Sequence, residues 1–533
     1  MRTSLRRLLP LPPVPPRETW TRKFPSSNFN VVNRLTADGG GRAVSKGGKR
    51  TQVADTALAN SIARKLDIQN DQVVLEAYPG MGFLTRAILA LPPDVRPRKV
   101  LSIEPSVDFN VHGLNLTPEQ ALSGWSPLNG TGGGGGGDDG DDGDDGNSKA
   151  KQTLLAKRRD AVREILAGLA KKGQSTPDLD AVTRDDAAAA INESMGTPVF
   201  RAFPSEDDSA LTIIDGTMFD WKTVPALEEQ GLLDDVQRRE WQDEPPNLHY
   251  IATIPDSDMG EQLVNQWVSC VAGPSWLFRF GRVKMSFLVK PTLYDRLTAV
   301  PGTRAYCKLS VITSALCEVH PATPLYPPGP DAAVPVSLRL KREKEALEKQ
   351  GAKSGMSVLA PRKPKKTKKA MTEPEPEIAS IASSPSFSDP ILSADPDLWY
   401  PKFRRTLTEQ KQPPRPGMMA LTLVPRKEPQ ILPDDKDVWD YILRRMFVNP
   451  GSPLEVAINN LGMGATNLVP KLTDPSLPAD KRIEPTKWIR EYTVQDWSLI
   501  VEAFKKWPFA PDVLVLGTLL EEDNDTRQVG SGM

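Results

Sequence analysis

Three acidic residues stand at the points where predicted strands end. Glu76 closes the apolar run VVLE, Glu104 closes KVLSIE and Asp215 closes LTIID. Because the carboxyl ends of parallel strands meet at one edge of a sheet, these carboxylates should line one crevice. An acid after the second strand can accept hydrogen bonds from both hydroxyls of a ribose, and one after the third can meet an adenine amino group. The three acids therefore predict a site for a nucleoside-bearing cofactor.

The first of these strands runs into a glycine turn. In VLEAYPGMGFLT, residues 74–85, the apolar run breaks at Pro79, Gly80 and Gly82, and a helix-forming stretch follows. Glycine lets a backbone approach a ligand closely, and the start of a helix presents unpaired N–H groups. One P-G-x-G is a weak signal by itself, but its place before two further strand-end acids favours the cofactor site. The alternative is that each acid caps a turn in a scaffold that binds no ligand.

Strands that alternate with helices predict a mainly parallel α/β sheet that positions these residues. Apolar spacing near 3.6 residues predicts a helix over 51–66, and the stretch at 418–429 predicts a strand that returns to the sheet. Beyond it, VWDYILRRMF, PLEVAINNLG and TVQDWSLIVEAFKKW predict a small helical segment rich in Trp, Arg and Lys. These aromatic residues could stack on single-stranded bases or form the core of the segment, and the sequence leaves both open.

Composition limits the class of protein. The 533 residues include 51 prolines and 38 glycines, unevenly placed, which predicts that roughly a third of the chain is linker or insertion. Cys270, Cys307 and Cys317 form no disulfide framework and favour a reducing or organellar interior. Cys317 and His320 lack a second ligand pair, so no zinc site is predicted. No stretch approaches the roughly 18 apolar residues of a membrane helix.

The first residues have the composition of a mitochondrial transit peptide. Arg2, Arg6 and Arg7 precede the first acid, Glu18, and leucines are interleaved with them. The alternative is a disordered basic leader. A second basic run, RKPKKTKK at 362–369, favours a solvated loop over a nuclear signal or nucleic-acid patch.

Several motifs in order resemble those of the rRNA adenine dimethyltransferases and their mitochondrial transcription factor B relatives. VLEAYPGMGFLT is similar to the E-x-G-P-G-x-G-x-L-T motif for S-adenosylmethionine, VLSIEPS to the second motif and LTIIDGTMF to the third. The resemblance covers about 50–110, 205–325 and 417–510. It implies a class I S-adenosylmethionine-dependent methyltransferase (Rossmann-like) α/β sheet with a small C-terminal helical domain. The cofactor-binding positions that it implies are Glu76, Tyr78, Gly80, Gly82, Glu104 and Asp215.

The catalytic motif departs from the family's pattern. The family has N-L-P-Y or a close variant, and the aligned residues here are Thr253, Ile254, Pro255 and Asp256. In the family, the Asn carboxamide holds the amino group of the target adenine and the aromatic ring stacks on the flipped base. Thr253 offers only a hydroxyl and Asp256 has no π face. Thr253, Pro255 and Asp256 therefore predict a degenerate motif and a loss of methylation.

Two further departures affect the cofactor side. Tyr78 stands where the family has the first glycine of its motif, and a side chain there crowds the methionine end of the cofactor. GGKRTQVAD, residues 47–55, aligns with the family's G-Q-N-F-L-x-D loop and keeps only the final acid, Asp55. Glu104 and Asp215 could still hold the adenosine half, so the sequence leaves open whether S-adenosylmethionine binds.

Together these features predict a mitochondrial transcription initiation factor that assists the mitochondrial RNA polymerase in promoter recognition and melting. Its predicted partners are that polymerase and promoter DNA, single-stranded in the open complex, and its predicted location is the mitochondrial matrix. The alternative is an active rRNA adenine-N6,N6-dimethyltransferase that uses S-adenosylmethionine and binds small-subunit rRNA.

Composition also divides the chain, because Gly-Asp and Pro-Ser-Lys runs cannot offset the entropy cost of folding. The predicted segments are a transit peptide and leader over 1–45, a methyltransferase-like domain over 46–327 with a disordered insertion at about 107–205, a second disordered insertion over 328–416, a returning strand over 417–430, a C-terminal helical domain over 431–510 and a tail over 511–533.

Overall fold

We describe a computed structural model of the chain. It describes residues 11, 14, 16–18, 50–105, 109–110, 113–115, 201–204, 210–256, 258–273, 275–323, 391, 393, 395–400, 415–485 and 487–511. The strands are β1 (Gln52–Val53), β2 (Val73–Ala77), β3 (Lys99–Ile103), β4 (Arg201–Pro204), β5 (Leu211–Asp215), β6 (Leu248–Thr253), β7 (Lys284–Val289), β8 (Cys317–Pro321), β9 (Trp399–Tyr400) and β10 (Met419–Pro425). The α-helices are α1 (Thr56–Lys65), α2 (Phe83–Leu89), α3 (Thr223–Glu229), α4 (Asp258–Cys270), α5 (Pro291–Leu297), α6 (Lys308–Leu316), α7 (Lys436–Met446), α8 (Leu454–Ala457), α9 (Val469–Thr473) and α10 (Val494–Lys505).

Eight strands form one mostly parallel sheet in the order β4-β5-β3-β2-β6-β7-β10-β8. The five strands from β5 to β7 run parallel, and β4 and β10 are antiparallel to their neighbours β5 and β7. The chain moves from β2 to β3 and β5 on one side, then crosses to β6 on the other. The carboxyl end of β2 is therefore the switch point where ligands bind in such sheets. The predicted parallel α/β sheet is confirmed.

The predicted strand, tight turn and helix start over 74–85 are confirmed by β2, the turn after it and α2. All five residues of β2 are buried, as expected for a central parallel strand with layers on both faces. Gly80 (φ +60°) and Gly82 (φ +70°) take left-handed conformations that favour glycine. Gly80 also lacks the room for a side chain, because an added Cβ would lie 1.8 Å from Gln52 Oε1.

The helix predicted over 51–66 begins later than expected. Asp55 is its N-cap and accepts a hydrogen bond of 2.7 Å from the Leu58 amide, so α1 begins at Thr56. Residues before the cap form β1, which pairs antiparallel with β9 from the far end of the second insertion. A sequence pattern cannot anticipate a strand of two residues whose partner lies so distant in the chain.

The structure differs from the predicted disordered insertions at particular residues. Within 328–416, residues 395–400 form a 3-10 turn and β9. Within 107–205, Phe109, Asn110 and Leu114 are buried and β4 joins the edge of the sheet. These residues are held by apolar packing and strand pairing, which the surrounding composition hides. Ile391 is buried and Arg415 pairs with Asp295, both within the second predicted insertion. The Gly-Asp run and RKPKKTKK lie outside the described residues.

Part of the predicted leader packs against the fold. Leu11 is buried in an apolar cluster with Trp399 and residues of α1 and α2. Val14 packs against a small cluster that contains Tyr400, and Arg17 bonds to the backbone of the same segment. Residues 1–10 and 19–49, which include the three leader arginines before Leu11, lie outside the described part of the chain.

The C-terminal helices share one hydrophobic core with the sheet. Trp439, Trp497 and Trp507 are buried in that core, with Trp497 completely inaccessible. Of the two roles that the sequence left open, these three tryptophans therefore fill the core role. The helices are also tied to the sheet layer by polar contacts, since the Tyr306 hydroxyl donates to the Tyr492 carbonyl at 2.8 Å. Across the residues described, no helix combines the length and apolar character needed to span a bilayer.

Candidate functional site

The predicted site residues meet at the carboxyl edge of the central strands. Glu76 lies near the end of β2, and Glu104 directly follows β3. The Gly80 amide donates to Glu104 Oε2 at 3.0 Å, which ties the glycine turn to the end of β3. Asp215 is the last residue of β5, but its side chain lies outside the described part of the structure.

Glu104, the acid expected to accept ribose hydroxyls, is paired with an arginine of the same chain. Arg50 Nη1 donates to Glu104 Oε1 at 2.7 Å, and Arg50 Nη2 donates to Oε2 in a second, very short contact. This is the bidentate geometry in which a guanidinium binds a carboxylate most strongly. Glu104 is 0% exposed and Arg50 is buried. The arginine therefore occupies the face of Glu104 that a ribose would need.

Aromatic rings enclose the guanidinium of Arg50. Its Cζ lies 5.5 Å from the centre of the Tyr78 ring and 5.2 Å from that of Phe109. Both distances are in the range of a cation–π contact. Phe109 belongs to the loop after β3, and this loop lies against the glycine turn so closely that a Cβ on Gly113 would meet the Gly80 carbonyl at 2.6 Å. The loop after β3 and the glycine turn therefore close the pocket together with Arg50.

Gln52 fills the space above the glycine turn. Its Oε1 accepts a hydrogen bond of 2.8 Å from the Met81 amide, an N–H that the turn would otherwise offer to a ligand. Arg50 and Gln52 belong to the segment Arg50–Ala54, which we call the plug loop. Among the described residues, buried polar atoms around the pocket that have no hydrogen-bond partner include Arg50 Nε, Gln52 Nε2, Glu76 Oε1 and Asn110 Oδ1. The pocket thus keeps the polarity of a ligand site although protein atoms fill it.

Tyr78 takes a backbone conformation that favours glycine. Its φ of +62° is left-handed, which costs a non-glycine residue about 1–2 kcal/mol. The side chain is buried, with the hydroxyl 3.1 Å from Thr217 Oγ1 and the ring centre 5.6 Å from that of Phe219. Burial raises the pKa of the hydroxyl above its usual range. The ring therefore lies between the turn and the loop after β5, where the sequence predicted crowding.

Glu76 is a buried acid with few partners. Ser102 Oγ donates to its Oε2 at 3.2 Å, and Oε1 has no partner. Burial raises the pKa of Glu76 to about 7, with a smaller contribution from the charge of Glu104, while the nearby polar side chains of Thr85 and Ser102 act in the opposite direction. Burial therefore favours the neutral form of Glu76 more than it would for an exposed glutamate.

An ion pair stands at the position of the family's catalytic aromatic residue. Asp256 Oδ1 lies 3.1 Å from Lys290 Nζ, which also lies 3.0 Å from Glu261 Oε1. Burial would lower the pKa of Lys290, but its contacts with Glu261 and Asp256 outweigh burial and raise it. Thr253, at the end of β6, and Pro255 are buried. No ring in this motif could stack on a flipped base, which agrees with a degenerate motif.

S-adenosylmethionine does not fit the residues as they are arranged. Its ribose would need the Glu104 oxygens that Arg50 holds, and its methionine end would need space beside a turn capped by Gln52. The Tyr78 ring narrows the same region further. Among the residues described, no group of three His, Cys, Asp or Glu side chains could hold a metal ion.

Sequence reasoning identified the walls of the pocket but missed the residues that fill it. Arg50 and Gln52 lie in the segment where the family's Asn and Leu are absent, and that departure was the available signal. Phe109 was assigned to a disordered insertion, and no role was predicted for Lys290. Their roles depend on contacts between distant segments, which spacing along the chain does not encode.

Comparisons with known proteins agree with the fold. A model of the family described as ribosomal RNA adenine dimethylase matches residues 160–495, more than half of the chain. The chain is 24% identical over 318 residues to mitochondrial transcription factor 1 of Saccharomyces paradoxus, covering 58% of this chain and 70% of the relative. It is 32% identical over 113 residues to the mitochondrial dimethyladenosine transferase 1 of Homo sapiens, covering 21% and 30% respectively.

A structural alignment with the 23S rRNA methyltransferase ErmE has a TM-score of 0.35 at 13% identity and covers 85% of this chain and 98% of that one. The family match, together with the strand order and the glycine turn at its switch point, gives the class I methyltransferase fold. The chain belongs to the ribosomal RNA adenine dimethylase family.

Proposed function

We propose that the protein is a mitochondrial transcription initiation factor that uses a methyltransferase fold without methylating RNA. The observation that carries the proposal is the Arg50–Glu104 pair, which places a buried side chain of the protein where the methyl donor's ribose would bind. An enzyme that depends on this cofactor needs the carboxylate that binds the ribose to be available to the ligand. A binding protein needs only the scaffold.

The motif at Thr253–Asp256 supports the same proposal from the substrate side. A methyltransferase must hold the target adenine in line with the donor, and proximity of this kind supplies much of such an enzyme's rate. Here Asp256 stands at the position of the stacking aromatic residue. Its side chain is 45% exposed and pairs with Lys290. The residues expected to bind the methyl donor and those expected to hold the target adenine are therefore both altered in this chain.

The positive part of the proposal draws on the relatives. Those called mitochondrial transcription factor 1 align over more of this chain than those called dimethyladenosine transferase 1. We extend their description to this chain: it acts in the mitochondrial matrix, with the mitochondrial RNA polymerase and promoter DNA as partners, the DNA being single-stranded in the open complex.

Run-off transcription with the cognate mitochondrial RNA polymerase tests this proposal. On a duplex promoter template, the protein should stimulate specific initiation at least tenfold, whereas on a template melted in advance around the start site the stimulation should be much smaller. A parallel reaction with small-subunit rRNA and labelled S-adenosylmethionine should give no dimethyladenosine. Multiple turnovers of methyl transfer without stimulated initiation would support the dimethyltransferase alternative.

A further inference from the structure

A segment of the second insertion crosses the outside of the plug loop. We call this segment, Asp395–Tyr400, the strap. Gln52 and Val53 of the plug loop pair antiparallel with Tyr400 and Trp399. The Ala54 amide donates to the Leu398 carbonyl at 2.9 Å. These backbone contacts fix the part of the chain that carries Arg50 and Gln52 into the pocket.

Side chains of the strap reach the pocket walls as well as the plug loop. Tyr400 belongs to one small buried cluster with Ala54, Met81 and Phe109, which come from the plug loop, the glycine turn and the loop after β3. Trp399 is buried in a larger cluster that includes Val53 and apolar residues of α1 and α2. The strap therefore packs together with the plug loop and with the two loops that follow β2 and β3.

The leader holds the strap from its outer side. Arg17 Nη2 donates to the Trp399 carbonyl at 3.0 Å, and Arg17 Nη1 donates to the Asp397 carbonyl. The Arg17 guanidinium lies 5.8 Å from the centre of the Tyr400 ring. Within the strap, Asp395 Oδ1 accepts from the Asp397 amide at 2.8 Å and fixes the turn before β9.

We propose that the strap and Arg17 form a clasp that keeps the plug loop inside the cofactor pocket. A two-stranded pairing of two residues each is too short to be stable without other contacts, so the plug loop depends on the apolar and leader contacts of the strap. Exclusion of a nucleoside cofactor is thus a property of three distant segments acting together. This proposal concerns how the pocket is closed and does not depend on the transcriptional role.

Hydrogen exchange followed by mass spectrometry on the full-length protein tests the clasp. In Tyr400→Ala, amides of 50–54 and 80–83 should exchange at least about tenfold faster, because local opening no longer breaks the Tyr400 packing. Amides of β6 should be unchanged. Pro396→Ala is the control, since Pro396 is an exposed residue of the same strap, and it should exchange like the wild type. Faster exchange confined to 395–400, or equal across the sheet, would overturn the proposal.

Carboxyl labelling with a carbodiimide gives a second readout. Glu104 and Glu76 are both buried in the wild type, but only Glu104 is covered by the plug loop. Tyr400→Ala should increase labelling of Glu104 at least fivefold and leave Glu76 unlabelled. Arg17→Ala, which removes only the leader contacts, should give a smaller increase at Glu104 and serves if Tyr400→Ala does not fold. Unchanged Glu104 labelling in a folded variant, or labelling of both acids, would overturn the clasp.

Discussion

At the residue scale, Arg50 and Glu104 form a buried ion pair at the switch point of the sheet. A buried carboxylate is costly unless it is paired and hydrogen-bonded, and Glu104 meets both conditions through Arg50 and the Gly80 amide. A chain that no longer binds a cofactor would otherwise keep a hydrated acid at the switch point of its sheet. The pair explains how the pocket can persist as structure.

Arg50→Ala should lower the free energy of unfolding by about 3–5 kcal/mol, because it leaves the Glu104 charge buried and unpaired. The double variant Arg50→Ala/Glu104→Gln should recover a large part of that loss, since no buried charge remains. Urea unfolding of the single and double variants measures both values. Equal and additive losses would show that the two side chains do not act as a pair.

Glu76→Gln should change how stability depends on pH. Folded Glu76 keeps its proton up to about pH 7, whereas the unfolded chain loses it near pH 4.5, so the wild type loses stability as pH rises between these values. The shift corresponds to about 3 kcal/mol at full extent. Urea unfolding measures the free energy of unfolding of both proteins at pH 5 and pH 8. The value for Glu76→Gln, relative to that of the wild type, should be higher at pH 8 than at pH 5 by up to this amount.

Asp71→Asn is the control for this pH series, because Asp71 is an exposed acid beside the same strand. Its stability should follow the wild-type pH profile. Parallel profiles for Glu76→Gln and the wild type would contradict a raised pKa at Glu76.

The strand-end acids were predictable because an acid after an apolar run has few roles other than capping or ligand binding. The occupant of the pocket was not predictable. Arg50 carries no motif, and its contact with Glu104 arises from a loop whose family pattern is absent. The departures from the family's motifs indicated that the cofactor site was altered, but they did not indicate which side chain fills it.

At the element scale, local patterns predicted the elements that position the site. The β2 strand, glycine turn and α2 helix are encoded within twelve residues, and β10 is an apolar run between polar turns. The strap and β4 were missed because each is short and lies in a segment of polar composition. Their order comes from pairing with β1 and β5, which no local pattern records.

Removing residues 1–18 should destabilise the protein, while removing residues 1–10 should not. Leu11 is buried, and Arg17 bonds to the strap. Loss of one buried leucine corresponds to about 2 kcal/mol, so the thermal midpoint should fall by about 4–8 °C. Thermal unfolding of the two truncated proteins measures the difference. Equal midpoints would show that residues 11–18 do not contribute to the fold.

At the scale of the whole molecule, the C-terminal helices and the sheet form one packed unit. The same core contains Trp439 and Trp497 from the helices and Tyr250 from the centre of the sheet. The tryptophans that suggested a base-stacking surface are buried in this core. Contacts with melted promoter DNA, in the proposed function, must therefore come from other residues.

Depletion of the protein in its own organism tests the central claim most directly. Promoter-proximal mitochondrial transcripts and the dimethyladenosine content of small-subunit rRNA are measured in the same cells. We expect mitochondrial transcripts to fall at least fivefold, while the fraction of rRNA that carries dimethyladenosine does not change. Loss of dimethyladenosine with transcript levels maintained would contradict the proposed function and show that the chain is a methyltransferase.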